Sequence, residues 1–173
     1  MGSRSELINI INSNKRVKKH ITAITKMPLK DEVWISEIES MQINRGLRSL
    51  NTSALLQSSV KIGIDSNLDN QLIRSRCTEI KMKAMKQSVL IEETSAYIKA
   101  YVSNKYATSL KKVASTVTER KQFMDYILQP IERIKDKLSF VIKLCDAIIE
   151  DCDAAGHTLY RIGLLLDSKA KDK

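Results

Sequence analysis

From Tyr106 onward, steps of four and three residues land in turn on Leu110, Val113, Val117, Arg120, Met124, Ile127, Ile131, Ile134, Leu138, Val141, Cys145, Ile148, Cys152, Ala155, Leu159, Ile162 and Leu166, and only Arg120 is charged. Spacing of this kind keeps side chains on one face of a helix. Sustained over such a length, it is the seam of helices packed nearly parallel or antiparallel. A second run links Ile73, Cys77, Ile80, Ala84, Gln87, Ile91, Thr94, Ile98 and Tyr101, and a third links Leu7, Ile10, Asn14, Val17, Ile21 and Ile24. Asn14 is the polar member of the third run; it reads either as a register-fixing residue, at some cost in stability, or equally as the mark of a frayed or exposed stretch.

Turn-forming residues are scarce. The chain has 5 Gly and 2 Pro in 173 residues, where average usage would give about 12 and about 9. Short strands need such punctuation every 8–12 residues or so, so the composition favours long helices. The expected fold is all-α: an elongated helical bundle with coiled-coil-like heptad packing and about five to six helices. Residues 1–5 read as a cloning remnant, residues 6–168 as a single helical-bundle domain and residues 169–173 as a frayed tail.

The few breakers place the boundaries. Pro28 closes the first helical stretch, and Asp31 with Glu32 opens the next, where the helix dipole favours acids. Trp34 and Ile38 belong to that second helix, which Gly46 kinks or ends. Gly63, Asp65, Ser66 and Asn67 supply a turn ahead of a third helix over 68–103. "YVSNKY" marks a turn or a stutter. A fourth helix is expected over 106–128, with Pro130 kinking it or starting a fifth, and Gly156 breaking the chain before a last short helix. Around "LSFVIKLCDAII" nearly every side is apolar, including Phe140, so this segment is expected at the centre of the bundle.

The formal net charge is +9, a value typical of proteins that meet nucleic acid or anionic membrane. The excess is local. Residues 1–30 carry 7 basic and 1 acidic side chains and residues 71–121 carry 11 and 4, whereas residues 31–70 carry 3 and 6 and residues 122–173 carry 8 and 9. Acidic segments following basic ones point to pairing between neighbouring helices. The phosphate-binding alternative rests on two basic segments, 14–26 with Lys15, Arg16, Lys18 and Lys19, and 74–86 with Arg74, Arg76, Lys81, Lys83 and Lys86. Charges of this kind also border any solvated bundle helix. The aromatic platforms that single-strand binders add are not interleaved with them; Tyr97, Tyr101 and Tyr106 lie farther along.

Motifs of catalysis and metal binding are not found in the sequence. "DSNLDNQLIRSR" opens like a calcium loop but has Asn70 where glycine is required and Arg76 where a bidentate glutamate belongs. His20 and His157 share no zinc-ligand spacing with Cys77, Cys145 and Cys152, and these three cysteines read as free thiols. No glycine-rich phosphate loop or nucleophile elbow occurs. The sequence is therefore read as a non-enzyme with no cofactor, no metal and no small-molecule substrate. Its expected function is a helical protein–protein interaction or assembly module that binds a protein partner or a second copy of itself. Nucleic-acid binding is the alternative, and docking on an anionic membrane surface a weaker third. Trp34 and Arg120 are the candidate partner-binding residues, although Trp34 reads first as a core anchor and only second as a docking hot spot. No run of about 18 apolar residues is present, and the expected compartment is the cytoplasm.

Overall fold

The computed structural model describes residues 3–46 and 60–171. Six helices and no strand occur among them: α1 (Arg4–Ser13), α2 (Lys15–Thr25), α3 (Asp31–Gly46), α4 (Val60–Lys105), α5 (Ala107–Val113) and α6 (Val117–Lys171). The fold of the described residues is all-helical, as the spacing predicts.

Local chemistry explains where the helices start and stop. Ser3 caps α1 reciprocally: its hydroxyl accepts the Glu6 N–H, and its own N–H donates to the Glu6 carboxylate at 2.7 Å. Asn14 ends α1 in an extended conformation and at once caps α2, its Oδ1 accepting the N–H groups of Arg16 and Val17 at 3.0 and 3.4 Å. Thr116 and Glu119 repeat the reciprocal cap at the head of α6.

The helices assemble into two compact units. One comprises Met1–Leu29 and Met85–Ser139, the other Lys30–Ala84 and Phe140–Lys173. The first contains α1, α2, α5, the later part of α4 and the earlier part of α6. Its interior is built from Leu7, Ile11, Val17, Ile24, Ile91, Ile98, Val102, Leu110, Phe123, Leu128 and the α6 seam from Met124 to Leu138. The second contains α3, α4 up to Ala84 and α6 beyond Phe140. It closes on Trp34, Ile38, Cys77, Ile80, Ala84, Val141, Cys145, Ile148 and Cys152. Each Val, Leu, Ile, Phe or Met side chain so buried contributes about 1.5–3 kcal/mol.

Several boundaries differ from those read in the sequence. The turn expected at residues 63–67 is helical, because α4 starts at Val60. Gly156 does not break α6, which continues to Lys171; the helix there absorbs the roughly 1 kcal/mol glycine penalty. Pro130 lies inside α6. Its ring and Tyr126, whose carbonyl loses its donor, are both exposed, so water can serve the orphaned oxygen. The expected helix over 106–128 is two helices, separated at residues 114–116 by the new cap at Thr116.

The seam also shifts in places. In α1 the inward pair is Leu7 and Ile11, while Ile10 is 56% exposed. The Asn14 break resets the helical phase, so the α2 seam of Val17 and Ile24 does not extend back in register through Ile10. Val117 is 77% exposed, sitting in the first turn of α6. Phe140, placed at the centre of the bundle by composition, is exposed. From Met124 to Cys152, by contrast, every four–three position of α6 is buried.

All three cysteines are free and buried. The sulfur of Cys145 within hydrogen-bonding reach, and then burial, push the Cys77 thiol well above its ordinary value. Among the described residues no helix is long and apolar enough to cross a membrane.

Candidate functional site

The two basic segments have different fates. In 74–86, opposite charges from neighbouring helices take up most cations. Arg76 forks onto Glu37 of α3, Nε to Oε1 at 2.6 Å and Nη2 to Oε2 at 3.0 Å, and also reaches Glu79. Arg74 pairs with Asp153 at 2.7 Å, Lys81 with Asp146, and Lys83 with Glu79. Four of the five phosphate candidates in this segment therefore already hold carboxylates. Lys86 is exposed and falls in the first unit.

Segment 14–26 behaves otherwise. Lys15, Arg16, Lys18 and Lys19 are all exposed, and none of them pairs with a carboxylate among the described residues. The unit that contains them carries 16 Lys and Arg against 7 Asp and Glu, whereas the other unit has 13 of each. The whole formal excess of +9 thus belongs to the first unit.

On this unit α2 runs beside the end of α4, and the contact is aromatic. Tyr97 and Tyr101, one turn apart, present nearly parallel rings, 9° between planes and 6.4 Å between centroids. His20 of α2 tilts against Tyr97 at 4.7 Å. The Arg16 guanidinium lies 5.2 Å from the centroid of Tyr101, and the Lys105 ammonium 5.5 Å from Tyr101 and 5.7 Å from Tyr106. Asn14 ties the cluster together, its Nδ2 donating to the Tyr106 hydroxyl at 3.0 Å while its Oδ1 accepts from Tyr101 at 3.5 Å. Lys105 donates to the Tyr101 hydroxyl at 3.0 Å. That bond, more than the weaker ones from Asn14 and the nearby cations, holds the Tyr101 phenol below its ordinary value, and it raises the Lys105 ammonium in turn. The three tyrosines were visible in the sequence as residues distant from the basic run. Only the fold brings them beside it, Tyr97 against His20 and Tyr101 and Tyr106 against Asn14, the last two across 87 and 92 positions of chain.

The remaining candidates are structural in their surroundings. Trp34 is 5% exposed and forms part of the second unit's core. Arg120 lies in the first turn of α6 and donates to the carbonyls of Thr116 and Ser115, each at 3.2 Å. A cavity of about 580 Å³ in the second unit is lined by Asn67, Gln71, Arg74, Thr78, Asp153 and His157 among others, and two of these, Arg74 and Asp153, pair with each other. No group of three His, Cys, Asp or Glu side chains that could hold a metal ion is found among the described residues.

A last surface feature lies on α4 of the second unit. Leu68, Leu72 and Met82 are exposed by 53%, 68% and 52%. At about 100° per residue they share an arc of roughly 80°, on the side of the helix away from Cys77, Ile80 and Ala84. Comparison with known proteins finds no matching family model, no similar curated protein and no similar solved structure.

Proposed function

We propose that this protein is a non-enzymatic assembly module whose helices pack along coiled-coil-like seams and which associates with a second helical surface, a further copy of itself in the first instance. The observation that supports the reading is the outward placement of Leu68, Leu72 and Met82 on α4, opposite that helix's own core face, with Ser75 and Glu79 between Leu72 and Met82 on the same side. A helix with one buried and one exposed apolar side has a surface to offer a partner helix, read as anchors one and several turns apart. The four–three ridge of α6 is not that surface, since its members from Met124 to Cys152 are covered within the chain.

Sedimentation velocity over a range of micromolar concentrations tests the reading. Mass that rises with concentration, and that returns to the monomer value in Leu72→Glu and Met82→Glu, is the expected result. A strict monomer throughout the range, or association indifferent to both substitutions, contradicts it.

A further inference from the structure

The formal excess charge of the chain falls in one unit, and Lys15, Arg16, Lys18 and Lys19 of α2 are exposed and pair with no carboxylate among the described residues. Charge alone would make only a diffuse field. What makes a site is the aromatic pair beside it. Tyr97 is 43% exposed, parallel to Tyr101, and bordered by the guanidinium of Arg16 and the ammonium of Lys105 around the second ring. The exposed part of Tyr97, beside the cations gathered on Tyr101, matches the alternation of base and phosphate along a single strand: the ring takes a base, and Arg16, Lys105 and the α2 lysines take the neighbouring phosphates.

We propose that this face of the first unit binds single-stranded nucleic acid, with a base stacked on Tyr97 and the phosphates drawn to Arg16, Lys105 and the outward lysines of α2. A duplex would hide its base faces in the stack and leave Tyr97 without a role. An anionic bilayer would engage the charges, but the apolar side of α2, Val17 and Ile24, is buried and cannot insert. The proposal is independent of the assembly reading, which concerns α4 in the other unit.

The test is fluorescence anisotropy of a labelled oligothymidylate titrated with the full chain. With about five phosphates neutralised, affinity should fall roughly 100-fold as salt rises from about 50 to about 200 mM. Tyr97→Ala should weaken binding about tenfold and Tyr97→Phe should restore it, since stacking needs the ring and not the hydroxyl. Exchanging Lys15, Lys18 and Lys19 for Glu should remove most of the remaining affinity; these side chains are exposed, so the substitution spares the core even if Tyr97→Ala disturbs the helix contact. No binding at low salt overturns the proposal, as does equal binding by Tyr97→Ala with unchanged helicity. So does a duplex of the same length bound as tightly as the single strand, or capture by phosphatidylserine vesicles alone.

Discussion

Asn14 and Tyr106, 92 positions apart in the chain, meet in a 3.0 Å hydrogen bond from the amide nitrogen to the phenol oxygen. The same asparagine caps α2 through its other amide atom. One side chain thereby starts a helix, ends the one before it and fixes α2 to the turn after α4. Asn14→Ala should cost about 1–2 kcal/mol in urea unfolding. Asn14→Asp, which keeps the capping oxygen but loses the amide donor, should recover part of that. Equal stability of all three proteins would show that the cap and the tether carry nothing.

Substitution of adjacent isoleucines tests the register of α1. Ile11 is wholly buried and Ile10 is 56% exposed. Ile11→Ala should therefore cost about 2–5 kcal/mol, and Ile10→Ala at most about 0.5 kcal/mol. The reverse order would restore the uninterrupted seam through Ile10 and Asn14 that the sequence spacing predicts.

Gly156 is helical, and a methyl group placed there would meet nothing within 4 Å. Gly156→Ala should raise stability by about 0.5–1 kcal/mol through helix propensity and a less flexible unfolded chain. Loss of stability, followed by thermal unfolding, would instead indicate the break in α6 that the glycine predicts on its own.

The fork between Arg76 and Glu37 gives a pH dependence with a definite sign. The Arg76 hydrogen bonds hold the Glu37 carboxyl below its ordinary value of 4.5, burial opposing them, and Glu79 is lowered by Lys83 and then Arg76. A depressed carboxylate stabilises the fold fully above its unfolded pKa, and the contribution disappears as pH falls through the folded one. Arg76→Gln should lower the urea midpoint at neutral pH and differ progressively less from the parent below about pH 4.5. A gap that stays constant down to pH 2 or so would mean the ion pair is not its source.

Much of this architecture could be read from the sequence because burial on α6 is nearly one-dimensional. The four–three positions from Met124 to Cys152 all lie inside, and nothing local competes with them. Phe123 and Leu128 are buried as well, since a helix packed in a globular unit buries a wider face than a two-position seam. Boundaries were harder to read where a single polar side chain decides them. The Thr116–Glu119 cap splits what periodicity joins, whereas the polar cluster at residues 65–67 lies within a continuous helix. The tyrosine cluster was illegible for a different reason: its members are neighbours only through tertiary contact, and no local pattern announces that Arg16 will lie over Tyr101.

The most direct measurement of the interior ridge uses the protein's own thiols. Cys145 and Cys152 sit on that ridge and Cys77 faces Cys145 from α4. Alkylation of the native chain by a small neutral reagent, followed by mass spectrometry at successive dilutions, should leave all three unmodified over times in which the urea-unfolded chain reacts completely. Rapid labelling of Cys145 in the native protein, or labelling that sets in as the protein is diluted, would contradict a ridge buried within a single chain.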